Sequence, residues 1–204
     1  DHHLYARCAV AESLASFPTE KTLHLLEKLS TDHDSDVREV AARSLASFSH
    51  EKTFLLLKKL STDSNSSVRL AVAQSLASLP PEAALPLLEK LTTDRHWIVR
   101  YAIAETLRNL PTEITLPLLE KLSTDINYDV RQAAQNTLLS SFLPQLLQDA
   151  IAKEDHRKIF DLLGKFPVVA SCIKFEYDLN PTPFLKRILS IVSITRQKTN
   201  LDVS

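Results

Sequence analysis

The sequence predicts an all-α chain folded as a right-handed α-solenoid of about five helix pairs. Its 204 residues include one Gly and ten Pro, whereas a sheet-rich or loop-rich domain usually needs more Gly for its turns. A segment of 31 residues recurs without slipping, with copies that start at residues 6, 37, 68, 99 and 130. A fixed period of this length is typical of stacked repeats, in which each unit packs against its neighbours.

Each unit carries two helical patterns joined by a polar turn. In the second unit, Thr53–Leu60 is a short apolar helix, residues 61–67 form the turn, and Val68–Leu79 is the long helix that opens the next unit. At 100° per residue, one side of the long helix holds Val68, Val72, Ser75, Leu76 and Leu79, and the other side holds Leu70, Gln74 and Ala77. Because only one side is apolar in every copy, that side must be buried against a neighbouring helix.

The first unit follows the same order. Residues 1–5 are interpreted as the remnant of a turn, Ala6–Phe17 as the first long helix and Leu23–Leu29 as the first short helix. Adjacent His2 and His3 have no further ligand at a fixed spacing, so we interpret them as solvated rather than metal-binding.

Prolines set the helix starts in later units. Pro86 and Pro117 stand inside apparent short helices, and a proline is tolerated only in the first turn of a helix or at a kink. We therefore expect these helices to begin near Ala83 and Ile114.

Every turn also carries an Asp six residues before an Arg, and Val precedes the Arg in four of the five copies. This frame resembles the HEAT repeat, and most closely the short HEAT-like repeats of bilin lyases and of bacterial scaffold proteins. The resemblance covers residues 1 to about 142 and implies a bacterial repeat protein whose second helix in each unit lines a concave, partner-binding face. It identifies a fold rather than an activity, because such repeats serve many functions.

The Asp–Arg frame is interpreted as structural. Stacking should place each Asp near an Arg of its own or the adjoining unit, and such a ladder would fix the angle between units. Phosphate binding by the Arg column would instead need Arg side chains free of Asp. The predicted ladder comprises Asp32, Arg38, Asp63, Arg69, Asp94, Arg100, Asp125 and Arg131.

The repeat pattern decays after Val130, where Gln135 and Ser141 replace the expected apolar residues. The sequence therefore predicts two parts, a solenoid at residues 1–142 and a non-repeat helical cap at residues 143–204. The chain contains no Met and opens inside a turn, from which we expect further repeats or another domain before residue 1.

Motifs of known catalytic and cofactor chemistry are absent from the sequence. It lacks the glycine-rich phosphate loops, H-E-x-x-H, paired C-x-x-C and G-x-S-x-G, so we expect no enzyme activity, no catalytic residue, no cofactor and no metal. A net charge of −1 makes nucleic acid an unlikely partner, and the short apolar stretches predict no membrane span. Two distant cysteines, Cys8 and Cys172, are typical of reduced thiols in a cytoplasmic protein.

A binding surface should vary while the repeat frame stays constant. The third, seventh and tenth positions of each unit point away from the core, and they hold different residues in each copy. The sole Trp lies in the turn before the fourth unit, with Tyr101 one helical turn further on and Tyr128 one repeat later. The predicted partner-binding residues are Trp97, Tyr101, Tyr128, His96, Arg108 and Glu105. Local packing of Trp97 in its own junction is the alternative to an exposed aromatic patch.

The sequence therefore favours a scaffold or sensor module that binds a protein or peptide on its concave face and turn edge. A component of a bilin-lyase-type chromophore-transfer enzyme is one alternative, implied by the resemblance. A HEAT-like DNA glycosylase is another. Trp97 and Asp129 would supply the aromatic ring and the Asp that it needs, although the exposed helix positions offer few cations, only Arg43 and Arg108.

Overall fold

The computed structural model describes residues 2–48 and 51–138, and within them the chain is helical with no β-strand. The helices are α1 (His2–Leu14), α2 (Glu20–Leu29), α3 (Ser35–Ser44), α4 (Glu51–Leu60), α5 (Ser66–Ser75), α6 (Pro81–Leu91), α7 (Trp97–Thr106), α8 (Thr112–Leu122) and α9 (Tyr128–Thr137). The all-α solenoid that the sequence predicts is confirmed.

The helices form two rows. The long helices α1, α3, α5, α7 and α9 pack each against the next, and the short helices α4, α6 and α8 pack in the same order beside them. The core lies between the rows, where Val68 and Val72 of α5 and Leu76, directly after α5, are completely buried. The apolar side that the sequence assigns to α5 is therefore the buried side.

Side-chain hydroxyls fix the register between neighbouring long helices. Ser75 Oγ donates to the carbonyl oxygen of Ala42 at 3.0 Å, and Thr106 Oγ1 donates to that of Ala73 at 3.2 Å. Thr137 repeats the contact one unit later. A buried hydroxyl needs a partner, and the backbone of the preceding repeat supplies one. The Ser75 hydroxyl shares its hydrogen with the Ala71 carbonyl oxygen of its own helix, at 2.8 Å.

The long helices end earlier than their sequence pattern predicts. Helix α5 stops at Ser75 and continues as a 3₁₀ turn, Leu76–Ser78, instead of running to Leu79. The same change occurs at Leu45–Ser47 and Leu107–Asn109. A 3₁₀ turn tightens the last turn of a helix, so the chain enters the next short helix sooner.

The predicted helix starts lie two to four residues later than the observed ones. Helix α2 begins at Glu20 rather than Leu23, α4 at Glu51 rather than Thr53, and α5 at Ser66 rather than Val68. Helix α1 begins at His2, not Ala6, because residues 2–5 contain no Pro or Gly that would stop a helix. Helix α6 begins at Pro81 rather than near Ala83, since a Pro at the first position loses no needed hydrogen bond. Helix α8 begins at Thr112 rather than near Ile114, and Pro86 and Pro117 lie inside these two helices.

The chain divides into two compact units, Asp1–Thr137 and Leu138–Ser204. The predicted helical cap at residues 143–204 lies outside the described residues, so the boundary at residue 142 stays a prediction. None of the described helices combines the length and apolar character needed to cross a bilayer.

Candidate functional site

The Asp–Arg ladder joins adjacent turns. In four of the five copies, the Arg pairs with the Asp that lies 25 residues later, in the next turn. Arg69 binds Asp94 through two parallel hydrogen bonds, Nε to Oδ2 at 2.6 Å and Nη2 to Oδ1 at 2.8 Å. Equivalent paired bonds of 2.6–2.9 Å join Arg38 to Asp63 and Arg100 to Asp125. Arg7 and Asp32 form a looser pair, with their two contacts at 2.9 and 3.4 Å. Because the units start at residues 6, 37, 68 and 99, each of these pairs lies within one unit and joins the turn that opens it to the turn that closes it. The pairing of an Asp with the Arg of its own unit is one of the two alternatives that the sequence left open.

The same arginines also close their own turns. The Nη1 atom of Arg69 donates to the carbonyl oxygens of Asp63 at 2.8 Å and Ser64 at 3.2 Å. Arg131 makes the corresponding bonds to Asp125 and Ile126. One guanidinium thus connects two turns, and its donors are directed at protein acceptors. This geometry supports the structural interpretation of the ladder over a phosphate-binding one.

The aspartates are held as anions. Asp63 Oδ1 also accepts the backbone N–H of Asn65 at 2.9 Å. The hydrogen bonds from Arg38 hold the pKa of Asp63 below its ordinary value, despite the opposing effect of burial. Burial is the largest influence on Asp94 and by itself raises that pKa, but the bonds from Arg69 and from the His96 N–H outweigh it and lower the pKa. The ladder is charged at neutral pH.

His96, one of the predicted partner-binding residues, is the N-cap of α7. Its Nδ1 accepts the backbone N–H of Ile98 at 3.4 Å, which satisfies a donor that the helix cannot. Asp34, Asn65 and Asn127 hold the same capping position in other repeats. The His96 ring also stacks on Trp97, with centroids 6.4 Å apart and planes inclined by 20°, and so supports the Trp from one side.

Two open grooves lie between the exposed sides of the long helices. The first groove, between α5 and α7, has a volume of about 410 Å³. The second groove, between α7 and α9, has a volume of about 440 Å³. Ile98, Tyr101 and Glu105 line both, so one exposed ridge of α7 separates them. The first groove is further lined by Leu70, Gln74, Ala77, Ala102, Thr106 and Asn109, and the second by Trp97, Asp129, Gln132, Ala133 and Asn136.

Three of the six predicted partner-binding residues meet at the second groove. Trp97 is 39% exposed and Tyr101 is 37% exposed, so each is partly packed and partly accessible. Glu105 shares their groove and also pairs weakly with Arg108 at 3.5 Å, on the surface. Trp97 is therefore neither fully buried in its own turn nor fully exposed, and its role in partner binding stays a prediction.

Tyr128 is placed differently from the sequence expectation. It is 65% exposed and lines neither of the two grooves. The guanidinium of Arg131 lies 5.8 Å from its ring centroid, within cation–π range. Ile126 is 93% exposed in the same turn. Ile126 and Tyr128 are thus exposed on the turn edge and lie outside the two grooves.

The second groove is also lined by three residues outside the predicted partner-binding set, Asp129, Gln132 and Asn136. Gln132 and Asn136 occupy the third and seventh positions of the fifth unit, which the sequence assigned to the outward side. Asp129 precedes the Val–Arg pair, and the sequence singled it out only beside Trp97, in the DNA glycosylase alternative. Among the described side chains, no group of three or more His, Cys, Asp or Glu residues could hold a metal ion.

Comparison with known proteins agrees with this architecture. The family described as HEAT repeats matches residues 53–138. Residues 53–138 therefore form HEAT-like repeats. The chain is similar to the complex of CpcE and CpcF of phycocyanin lyase from Nostoc sp. PCC7120, at 23% identity over 62% of this chain and 85% of that chain, with a TM-score of 0.53.

The chain is also similar to YibA of Escherichia coli, at 19% identity over 95% of this chain and 66% of that chain, with a TM-score of 0.54. At these identities the similarity concerns the fold alone. No curated protein sequence matches the chain.

Proposed function

We propose that this chain is a protein-binding module of the scaffold or sensor type, and that the exposed side of its long helices binds a segment of a partner protein. The observation that carries the proposal is the pair of grooves separated by the Tyr101 ridge, with Trp97 at one of them. Trp and Tyr are enriched among the residues that contribute most to binding energy at protein interfaces. The equivalents of Trp97 in two earlier units are Ser35 and Ser66, so the repeat frame itself does not require a Trp there.

The spacing of the grooves fits an extended segment. Packed helices lie about 8–10 Å apart, and a polyproline-type chain advances about 9 Å in three residues. A segment that crosses α5, α7 and α9 can therefore place side chains three residues apart in the first and the second groove.

A HEAT-like repeat fold fits such a binding role without catalysis, in keeping with the cytoplasmic scaffold that the sequence predicts. The alternatives of a chromophore-transfer component and a DNA glycosylase have no support beyond the fold. The phycocyanin lyase similarity is too distant to transfer an activity.

Further repeats or another domain before residue 1 also remain part of the proposal. Val10 and Phe17 are 48% and 67% exposed, whereas their equivalents one unit later, Ala41 and Phe48, are 0% and 4% exposed. In the later units a preceding repeat covers these positions, so the exposed side of α1 offers the surface on which another helix pair would pack.

Selection from a displayed library of random dodecapeptides tests the binding role. Peptides enriched on the wild-type chain are expected to lose affinity for Trp97→Ser, by about thirtyfold or more for an interface anchor. Ser is the residue at this position in α3 and α5, so the variant should fold, and circular dichroism checks that it does. Enriched peptides that bind Trp97→Ser and the wild type equally would refute the site, as would the absence of any enriched peptide.

A further inference from the structure

The second groove has a distinct charge. Its lining combines two carboxylates, Glu105 and Asp129, with the Trp97 and Tyr101 rings, and it includes no Lys or Arg. The other polar side chains that line it are the amides Gln132 and Asn136. Carboxylates beside aromatic rings are the surroundings that favour an ammonium or guanidinium group, because both attract a cation.

The carboxylates are not neutralised by the ladder. Asp129 is exposed in the first turn of α9. Glu105 has one long contact, 3.5 Å, to Arg108, and both of these side chains are well exposed, at 39% and 46%. Such an exposed pair exchanges readily with another cation, since surface ion pairs contribute little.

The first groove differs. Its wall opposite the shared ridge includes Leu70 and Ala77, and Ala102 lies beside the ridge on α7. The polar residues Gln74, Thr106 and Asn109 complete the lining. Its carboxylate, Glu105, is shared with the second groove. Burial of an apolar side chain there removes apolar surface from water on both partners.

We propose that the second groove binds a Lys or Arg side chain of the partner segment, and that the first groove binds an aliphatic side chain three residues away. This inference rests on the proposed binding function and specifies its partner as a basic, partly apolar segment of a protein. The cation lies between the Trp97 and Tyr101 rings and the carboxylates of Glu105 and Asp129. Specificity for a cation over a neutral side chain then comes from one groove and not from the net charge of the chain, which is −1.

The repeats supply matched substitutions for the test. Gln74 occupies the position of Glu105 one unit earlier, and Ser67 occupies that of Asp129 two units earlier. The variant Glu105→Gln, Asp129→Ser therefore uses residues that the frame already accepts. The control variant Glu12→Gln, Asp36→Ser removes carboxylates from the same two repeat positions in α1 and α3, away from the groove.

The probe is a synthetic dodecapeptide taken from the enriched set, in two forms that carry Lys or norleucine at the position richest in cations. The Lys form should bind the wild type about tenfold more tightly than the norleucine form, and added NaCl should reduce the difference. In Glu105→Gln, Asp129→Ser the difference should shrink to about twofold or less, while the control variant keeps it.

A third variant is expected to bind the peptide more tightly, and an increase in affinity cannot be explained by misfolding of the variant. Arg108 competes for Glu105, and the equivalent residue in α3 and α5 units is Ala46 or Ala77. Arg108→Ala should therefore bind the Lys peptide about twofold to threefold more tightly.

The outcomes separate this inference from the proposed function. Enriched peptides that depend on Trp97 but show no excess of Lys or Arg would overturn the inference and leave the binding function standing. An equal Lys–norleucine difference in the wild type and the double variant would also overturn it. Absence of any Trp97-dependent peptide would overturn both.

Discussion

Replacement of Arg69 by Met should destabilise the third unit, whose two flanking turns this side chain connects, by about 3–5 kcal/mol, the range for breaking a buried ion pair. The Arg69 and Asp94 side chains are 5% and 7% exposed, the lowest values among the ladder pairs. The change removes two short hydrogen bonds to Asp94 and two hydrogen bonds to the carbonyl oxygens of Asp63 and Ser64, in the turn before α5. Met preserves most of the apolar part of the side chain. The loss of stability therefore measures the removal of the guanidinium and the cost of leaving the Asp94 carboxylate unpaired.

The Arg7–Asp32 pair, the first of the ladder, provides the matched control. Arg7 and Asp32 are 25% and 11% exposed, and one of their two contacts is long, at 3.4 Å. Arg7→Met should therefore lower the free energy of unfolding by about 1 kcal/mol or less. Adding Asp94→Asn to Arg69→Met should recover part of the loss. Asn keeps an oxygen for the His96 N–H but carries no unpaired charge.

Urea unfolding followed by circular dichroism gives the free energies, and hydrogen exchange locates the change. Since repeats contact only their neighbours, exchange should increase mainly in α5 to α7. Equal losses for Arg69→Met and Arg7→Met, or a loss below about 1 kcal/mol for Arg69→Met, would contradict this account of the ladder.

The remaining predictions concern pH and accessibility. Bonds from Arg38 hold the pKa of Asp63 below its ordinary value, so its contribution to folding is complete above about pH 4 and is lost as the pH falls through the lower folded-state pKa. Urea unfolding from pH 2 to pH 7 should show this loss, and Asp63→Asn should reduce it; an unchanged slope would count against the pair as its source. Acrylamide should quench the fluorescence of Trp97, the sole Trp, to an extent between that of free tryptophan and a buried residue, and a bound peptide should protect it. Scarcely any quenching in the free chain would be incompatible with an accessible second groove.

The partner of each Arg in the Asp–Arg ladder could not be predicted from the sequence. Asp63 precedes Arg69 by six residues in one turn, so the sequence equally allows a pair within a turn or between turns. Stacking decides, because it brings the guanidinium of Arg69 to the carboxylate of Asp94, 25 residues away, and leaves the Asp63 backbone carbonyl for the remaining donor. Neither distance can be read from the chain before the repeats are packed.

The period and the single apolar side of each long helix come from the sequence alone, because helical geometry converts spacing along the chain into faces. Those two features suffice to predict the solenoid, the buried positions such as Val72, and the outward positions such as Gln74 and Tyr101. The tertiary structure decides which outward residues meet. It brings Asp129 of α9 to the groove of Trp97 and Tyr101 and places Tyr128 elsewhere. The physical reason is that a groove belongs to two helices at once, and its lining depends on their separation and rotation, which no pattern within one helix specifies.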